Sequence, residues 1–386
     1  MAHPGNGDLV LVLNAGSSSI KLAVFDGQLT QILTGIADGI GGPGTLKLGD
    51  VKTAQGFPDH ATALRAILQA LEIQGFPVTR FAAAAHRVVH GGAELAQPTR
   101  ITPEVLRAIK ACTPLAPLHN PHNIAAIETL SALAPDLPQV ACFDTAFHAS
   151  NPEVATRYAL PPQIEARGIR RYGFHGISYA SLVESLPTLT GTPLPARLLA
   201  LHLGNGASIC AICDGKSIAT SMGYSPLEGL TMGTRTGMID GNAVLRLAEE
   251  DGIAATHTLL NKESGLRGLS GGLSDMRALL ADPSPASVFA VEHFCYWAIR
   301  HAGSLIAAMQ GLDAVAFTGG IGENAAPVRA RIMDGLAWIG ARIDARANEK
   351  GEPRLHAPDS DIGCWIIPAQ EERMIAADAQ RLLSGK

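Results

Sequence analysis

Two arginines stand in segments that are otherwise poor in charge. Arg87 lies in His86-Arg-Val-Val-His-Gly-Gly92, and Arg235 lies in Gly233-Thr-Arg-Thr-Gly237. A guanidinium among small and apolar neighbours loses hydration unless an anion offsets the loss, and its planar fork matches a carboxylate or a phosphoryl group. The two arginines are therefore candidates for an anion clamp. A pair of structural arginine–carboxylate bridges explains the same pattern equally well.

Three short turns could bring backbone N–H groups close to phosphate: Asn14-Ala-Gly-Ser-Ser-Ser-Ile-Lys21, His202-Leu-Gly-Asn-Gly206 and Gly320-Ile-Gly-Glu-Asn324. In the first, Lys21 adds positive charge and Asn14 an oxygen suited to Mg²⁺. None is a dinucleotide fingerprint, and Gly215-Lys-Ser217 is not a Walker A motif, because Cys210 occupies its first glycine position. Singly these are ordinary turns. Together, in an α/β chain, they favour ATP.

The histidines and cysteines indicate structure more than chemistry. His119, Asn120 and His122 resemble a metal cluster, but a Pro-rich loop uses such side chains to satisfy its backbone, and we favour that interpretation. Cys210 and Cys213 lie three apart in a predicted strand and so point to opposite faces, which argues against a redox or zinc site. His175, in Tyr172-Gly-Phe-His-Gly176, stays ambiguous from sequence.

An internal repeat indicates how these residues are positioned. Leu11 to Asp26 aligns without a gap, at an offset of 188 residues, with Leu199 to Asp214, and each copy predicts a hairpin of two apolar strands. A helix is expected from Pro103 with Thr102 as N-cap, and a strand over Gln139–Phe143 that delivers Asp144. Helices are also expected at 61–71, after Ser284 and at 371–383, a strand at 314–318, and a short buried strand or helix end at 81–85. The inner face of the long helix after Ser284 is expected to carry Val288, Val291, Phe294, Ile299, Leu305 and Met309. The alternation predicts an α/β protein.

Length and composition bound the class. The 386 residues predict two large domains, with 47% apolar and 17% charged residues to build their cores. A net charge of −5 without like-charge blocks argues against nucleic-acid or membrane surfaces. No apolar run approaches a membrane span, and the start at Met1 lacks a secretory pattern. With scattered cysteines, we expect a reduced, cytoplasmic protein.

Taken in their order along the chain, these motifs resemble those of the acetate kinase family. The resemblance covers nearly the whole chain and adds Ala116-Pro-Leu-His-Asn-Pro121, Phe143-Asp-Thr-Ala-Phe-His148 and Pro226-Leu-Glu-Gly-Leu230 to the segments above. It implies an α/β fold of two duplicated ribonuclease-H-like domains of the actin and sugar-kinase type, with ATP bound in the cleft between them. We expect an N-terminal domain at 1–150, a nucleotide-binding domain at 151–371, and a C-terminal helix at 372–386 packing back on the first domain.

The resemblance also implies roles for matching residues. Asp144, His175, Arg235 and Arg87 would be catalytic, and Arg87 would also hold the substrate. Asn14 and Glu371 would bind Mg²⁺, with Mn²⁺ as a substitute and Glu372 as the alternative ligand. The acyl group would lie against Val89, Leu118, Phe174 and Pro226. The ATP-binding residues would be Lys21, His202, Leu203, Gly204, Asn205, Gly206, Asp275, Met276, Arg277, Gly320, Ile321, Gly322, Glu323 and Asn324.

Three positions depart from the family pattern. Met238 stands where an acidic residue is common, Tyr179 replaces a frequent His, and Gly241 replaces a Pro. None of them is a residue assigned to the chemistry, so they concern loop shape.

The implied reaction converts ATP and acetate into ADP and acetyl phosphate, reversibly. Because a carboxylate is already ionised at pH 7, it needs no general base, and Asp144 is expected to orient an arginine or a metal-bound water. Proton transfer by Asp144 is the lesser alternative. The alternatives are a propionate or butyrate kinase with the same motifs and, more remotely, a chaperone-like or filament-forming ATPase of the same fold. A homodimer is implied by the family alone.

Overall fold

The computed structural model describes residues 7–385, so the amino-terminal segment considered above lies largely outside the described residues, as does Lys386. The chain divides into two compact units. The first ends at Phe147 and resumes at Gln370; the second is His148–Ala369. The sequence-based limits of 150 and 371 lie within a few residues of these divisions. Glu371, expected at the end of the second domain, belongs to the first unit, because it begins a helix that packs on strands of that unit.

The first unit contains a mixed sheet. Its strands are β1 (Leu9–Ala15), β2 (Ser19–Phe25), β3 (Gln31–Asp38), β4 (Thr45–Leu48), β5 (Val51–Ala54), β6 (Phe81–Val88), β7 (Thr99–Arg100) and β8 (Gln139–Phe143), in the spatial order β5-β4-β3-β2-β1-β6-β8-β7. Strand β1 is antiparallel to β2 and parallel to β6, which in turn is parallel to β8. The carboxyl ends of β1, β6 and β8 therefore meet at one sheet edge.

Helices cover the first sheet. They are α1 (His60–Ile73), α2 (Pro103–Ala111) and α3 (Asn120–Leu133), together with the last helix of the chain, α15 (Glu371–Ser384). The predicted cap of α2 is confirmed, since the Thr102 side chain accepts from the Val105 N–H. Helix α15 packs on β1 and β6. Alternate residues of β1 and β2 form a core with α1 and α3 that includes Leu11, Leu13, Leu64, Ile67 and Leu130.

The second unit contains the other sheet. Its strands are β9 (Arg197–Leu203), β10 (Ala207–Cys213), β11 (Lys216–Thr220), β12 (Ala314–Thr318) and β13 (Gly363–Ile366), in the order β11-β10-β9-β12-β13. Its helices are α4 (Glu153–Thr156), α5 (Pro162–Glu165), α6 (Gly176–Thr190), α7 (Gly241–Asp251), α8 (Ile253–Thr258), α9 (Gly265–Ser270), α10 (Met276–Ala281), α11 (Pro285–Met309), α12 (Gly319–Asn324), α13 (Ala326–Asp334) and α14 (Ala345–Lys350).

Both predicted hairpins are confirmed, as antiparallel pairs β1–β2 and β9–β10. The long helix after Ser284 is also confirmed, and the Ser284 side chain caps it. The placement of Val288 on the inner face is wrong: its side chain is 41% exposed, because the buried stripe of α11 begins at Ser287 and Ala290. The segment Gly320–Asn324, expected as an open turn, is part of the short helix α12.

Candidate functional site

The first unit gathers polar side chains at the edge where β1, β6 and β8 end. Asn14 lies near the end of β1, Arg87 near the end of β6, and Asp144 directly after β8. Arg87 donates from Nε to Asp144 Oδ1 at 2.9 Å and from Nη2 to Asp144 Oδ2 at 2.5 Å. Its Nη1 donates to Asn14 Oδ1 at 3.2 Å. We call Asn14, Arg87, Asp144 and Glu371 the charged cluster.

Opposing charges set the protonation of this cluster. Burial by itself would lower the pKa of Arg87, but the charge and hydrogen bonds of Asp144, with Glu371 and Glu372 beyond it, outweigh burial and raise that pKa. For Glu371, removal from water raises the pKa to about 7; Arg87 opposes this shift and Asp144 adds to it. Asp144 itself is only 2% exposed. Within the cluster, the two carboxyl groups of Asp144 and Glu371 therefore share the positive charge of a single arginine.

The donors of the charged cluster fit a hard divalent cation. Asn14 and Glu371 offer amide and carboxylate oxygens, and the raised pKa of Glu371 marks a carboxylate that would be stabilised by further positive charge. Within residues 7–385, no group of three His, Cys, Asp or Glu side chains could hold a metal by itself. A metal that takes one or two protein oxygens and completes its shell with water and phosphate, as Mg²⁺ does, suits such a site.

The other predicted residues of the first unit are Lys21, Val89 and Leu118. Lys21 stands on β2, directly opposite Asn14 on β1. Val89 is 5% exposed, and its N–H donates to Asn123 Oδ1 at 3.1 Å. Leu118 is 36% exposed. These positions leave the acyl-pocket assignment as a prediction.

Of His119, Asn120 and His122, expected in a loop, the last two begin α3, and Asn120 satisfies backbone groups as the favoured interpretation predicts. The Asn120 side chain accepts from the His90 N–H at 3.1 Å and donates to the His90 carbonyl at 3.0 Å. Asn123 bonds Val89 and donates to the Ala15 carbonyl at 2.8 Å. The two asparagines thereby fix the backbone at Val89 and His90.

In the second unit, His175 is held in an uncommon backbone conformation. Its φ is 58°, in the left-handed region, at the start of α6. The carbonyl of Phe174 accepts from His148 Nε2 at 2.9 Å. The imidazole of His175 bonds Ser208 Oγ through Nδ1 at 2.9 Å and stacks on the ring of His202, with centroids 4.1 Å apart. The strain and the contacts together indicate a functional position.

Arg235 and His175 come close to each other beside the turn that joins β9 and β10. Its Nη1 donates to the Pro226 carbonyl at 2.7 Å. A Cβ added to Gly206 would lie 3.1 Å from His175 Nε2 and 3.6 Å from Arg235 Nη2. The turn is joined to the arginine segment by a hydrogen bond from the Gly233 N–H to the Asn205 carbonyl at 3.0 Å. His175 and Arg235 therefore both face the glycine turn.

A cavity of about 610 Å³ adjoins that turn within the second unit. Its volume lies in the range of small-molecule and cofactor sites. Eight of the predicted ATP-binding residues line it: Gly204, Asn205, Asp275, Met276, Arg277, Gly320, Ile321 and Asn324. Sequence reasoning missed four lining residues, Ser274, Leu280, Ala325 and Pro327. They adjoin the predicted motifs, and Leu280 follows Met276 by one helical turn, so helical spacing could have found it.

The remaining predicted ATP-binding residues have other contacts. Leu203 and Gly322 are buried, and His202 Nδ1 bonds Ser178 Oγ at 2.8 Å. The Glu323 carboxylate accepts from the N–H groups of Gly319 and Ala369, each at 3.0 Å. It fixes the start of α12.

A buried arginine that sequence reasoning missed supports the same helix. Arg329 is 1% exposed and donates to the carbonyls of Gly322 and Glu323, both at 2.9 Å. It also donates to the side chain and carbonyl of Asn348, both at 2.8 Å. The partners of this guanidinium are carbonyl and amide oxygens. The sequence therefore offered no acidic partner from which the burial of Arg329 could have been predicted.

Known proteins share this sequence and this fold. The family model described as the acetokinase family matches residues 9–377. The chain belongs to the acetokinase family. An acetate kinase from Rhodopseudomonas palustris is 45% identical over 395 residues, covering 98% of this chain and 99% of that protein. The family uses ATP as co-substrate and transfers a phosphoryl group to a carboxyl acceptor.

Solved structures of acetokinase relatives confirm the fold class. A propionate kinase from Francisella tularensis has a TM-score of 0.92 at 36% identity, covering 96% of this chain and 98% of that one. An acetate kinase from Porphyromonas gingivalis has a TM-score of 0.89 at 35% identity, covering 98% and 100%. The predicted α/β fold with a sheet in each half is therefore confirmed. The roles of individual residues stay predictions.

Proposed function

We propose that this protein is an acetate kinase that reversibly transfers the γ-phosphoryl group of ATP to acetate, giving acetyl phosphate and ADP. The observation that carries the proposal is the similarity to acetate kinases over nearly the full length of both chains. The two groups of residues described above supply what such a transfer requires: fixed positive charge, hydrogen-bond donors and a nucleotide-sized cavity.

In this proposal, Asp144 positions Arg87 and transfers no proton. Both oxygens of its carboxylate accept from Arg87, which leaves the guanidinium locked in one orientation. The acceptor substrate is a carboxylate that is ionised at pH 7, so the reaction has no proton to remove. Arg87 and Arg235 would then stabilise the charge on the transferring phosphoryl oxygens, with His175 as a further donor.

The nucleotide would bind in the cavity of the second unit. Backbone N–H groups of the Gly204–Gly206 turn and of α12 suit phosphate oxygens, and α10 supplies Asp275, Met276 and Arg277. The Asp275 carboxylate caps α10 by accepting from the N–H groups of Arg277 and Ala278, so a direct ligand role would fall to the exposed Arg277.

Mg²⁺ would be held by Asn14 and Glu371, whose oxygen donors fit it. When bound, the ion would offset charge on the nucleotide phosphates. The residues of this chain would contribute an amide oxygen from Asn14 and a carboxylate oxygen from Glu371. The positive charge of Arg87 offsets part of the negative charge of the cluster.

A propionate kinase is the second candidate, favoured by the structural similarity to the Francisella tularensis propionate kinase. The proposed acyl-contact residues Val89, Leu118, Phe174 and Pro226 carry no donor that would suit a hydroxylated or amino-bearing acid. One additional methylene shifts preference by roughly 10–200-fold, so propionate should react more slowly than acetate.

The test is trapping of acyl phosphate as the hydroxamate, with ATP, Mg²⁺ and acetate, propionate or butyrate. We expect kcat/KM to be highest for acetate. Val89→Ala should raise relative kcat/KM for propionate and butyrate, because it removes branched bulk from the proposed pocket. Val88→Ala is the matched control, since Val88 packs in a core with Ile109, Ile127 and Phe143. A wild type that prefers propionate or butyrate would replace the assignment by the second candidate.

We also propose that the protein acts as a homodimer in the cytoplasm. Phe289 and Tyr296 on α11 are 53% and 60% exposed, and a second copy would cover such aromatic surface. The six cysteines are free thiols, which suits a reducing compartment. Within residues 7–385, no helix has both the length and the apolarity to cross a membrane. Light scattering coupled to gel filtration would measure the assembly.

A further inference from the structure

Behind His175 lies a short chain of hydroxyl groups. Tyr179 and Ser208 are both fully buried. The Tyr179 hydroxyl lies 2.5 Å from Ser208 Oγ, and Ser208 Oγ lies 2.9 Å from His175 Nδ1. The two partners of Ser208 are 29 and 33 residues away in sequence, and strand β10 brings its hydroxyl between them.

The direction of these hydrogen bonds follows from acidity. A phenol O–H has a pKa near 10 and is a stronger donor than an aliphatic hydroxyl. The backbone N–H of His202 faces the phenol oxygen as a donor, so the proton of that oxygen points elsewhere. We therefore assign the Tyr179 hydroxyl as the donor to Ser208 Oγ. Ser208 has a single proton, and having accepted from Tyr179 it can give that proton to His175 Nδ1.

A ring nitrogen that accepts a hydrogen bond carries no proton. His175 Nδ1 is then the acceptor nitrogen, and the proton of the neutral ring sits on Nε2. Nε2 is the atom that faces Gly206, on the same side as Arg235 Nη2. The neutral imidazole thereby offers an N–H donor toward the place where the glycine turn and Arg235 converge.

We propose that Tyr179 is a positioning residue that, through Ser208, holds His175 in the Nε2–H tautomer. This role rests on the proposed function, in which His175 donates to the transferring phosphoryl group. Tyr179 stands where the family frequently has His. A phenol at this position fixes the direction of the hydrogen bonds from Tyr179 through Ser208 to His175, because it stays an O–H donor. Burial, followed by nearby Cys210, raises the pKa of Tyr179 well above 10.

The titratable groups around His175 favour the neutral ring. His202 stacks on one face, Arg235 faces Nε2 across Gly206, and Tyr179 reaches Nδ1 through Ser208. A cation beside it, and a donor already occupying Nδ1, both oppose a second proton on His175. Loss of the Tyr179 hydroxyl frees Ser208 to turn and accept from Nδ1–H. The His175 tautomer should then become mixed.

The test combines nitrogen NMR with kinetics on Tyr179→Phe, which keeps the ring and removes the hydroxyl. In wild type, ¹⁵N-histidine spectra should show His175 Nδ1 unprotonated and Nε2 protonated, with the signals assigned by loss in His175→Gln. In Tyr179→Phe the two nitrogens should move toward each other, and kcat should fall about three- to tenfold with KM unchanged within a factor of two.

Ser208→Ala is the second route and must give the same mixed tautomer. The double variant should lose no more kcat than Ser208→Ala alone, because both substitutions break one chain. Tyr158→Phe is the control: its hydroxyl donates to Glu228, and the His175 signals should not move. Unchanged nitrogen signals in both Tyr179→Phe and Ser208→Ala would overturn the proposal. The spectra need no turnover, so a wild type without acyl phosphate formation would overturn the proposed function and leave this test intact.

Discussion

The two sheets share one plan and differ in chemistry. In the first unit, the order β3-β2-β1-β6-β8 has two antiparallel neighbours followed by two parallel ones, and β11-β10-β9-β12-β13 repeats that order in the second. The hairpins differ by one residue in register. Ala15 pairs with Ile20, whereas Leu203, its counterpart at the offset of 188, pairs with Ala207.

That one residue changes what each hairpin presents. Asn14 stands opposite Lys21 in the first, and His202 stands opposite Ser208 in the second. The first edge collects charge around Arg87. The second holds stacked, hydrogen-bonded imidazole rings, and Gly206 takes the position of Ser18, which allows close approach of its backbone. A duplicated framework thus supports an ion-paired edge in one copy and a nucleotide-sized cavity in the other.

The largest expected effect comes from the two arginines. Arg87→Ala and Arg235→Ala should each lower kcat by at least 10²–10³-fold, because each removes a fixed donor to the phosphoryl group. Lysine should rescue either position poorly, since it cannot form the planar fork. Acyl phosphate formation measures this, with circular dichroism to check folding. Near-normal turnover in either folded alanine variant would contradict the clamp.

The free energy of unfolding of the same two arginine variants should also differ between the two units. Arg87→Ala leaves the buried Asp144 carboxylate without its partner and should cost about 2–4 kcal/mol in urea unfolding. This is below the fully buried range because the Arg87 side chain is 23% exposed. Arg235→Ala should cost less, since Arg235 donates to the Pro226 carbonyl and its loss there strands no buried carboxylate. Adding Asp144→Ala to Arg87→Ala should restore stability and leave activity lost.

Gly206→Ala would test the close approach in the second hairpin. The added methyl group would lie 3.1 Å from His175 Nε2, so the imidazole must shift, and at an ordinary contact distance of 3.6 Å from Arg235 Nη2. We expect kcat/KM to fall on the order of 10²-fold, since small misplacements of catalytic groups have effects of that size. Gly303→Ala is the control, as its Cβ would meet nothing within 4 Å. Equal activities of the two variants would show that the turn accommodates a methyl group at position 206 without displacing His175.

Glu371→Gln would test the metal preference of the charged cluster. It removes the carboxylate charge while keeping the shape, and the Mg²⁺ concentration for half-maximal activity should rise about tenfold or more with ATP binding retained. Glu372→Gln is the matched control on the next residue of α15. If Glu372→Gln raises the requirement and Glu371→Gln does not, the metal ligand is Glu372.

The smallest effect concerns His86, beside Arg87 on β6. Burial lowers its pKa to about 4, against the opposing hydrogen bond with Gln139. Above pH 6.5 the ring is neutral in folded and unfolded chains. Between 6.5 and 4 the unfolded chain binds the proton first, so stability should fall by up to about 3 kcal/mol as pH drops through this window. His86→Gln should flatten urea-unfolding stability over that window relative to wild type, and parallel curves would contradict the assignment.

Local chemistry determined much of the fold from the sequence alone. The caps at Thr102 and Ser284, the two hairpins and the strand before Asp144 all follow from residues within a few positions of one another. The ordered motifs likewise identified the family, because short segments keep their residue types wherever the chain later places them. The error at Val288 shows the limit: periodicity gives the direction of a helix face, and packing decides where the face begins.

Only the tertiary structure decided which side chains meet. Asp144 reaches Arg87 across 57 residues, and Glu371 joins their cluster from the far end of the chain because α15 packs on β1 and β6. Arg329 is satisfied by carbonyls of α12 and by Asn348, and Ser208 lies between Tyr179 and His175. Hydrogen bonds form over about 3 Å in space, and sequence patterns report neighbours only along a strand or a helix. The sequence therefore named most members of the two groups, and the fold alone established their partners.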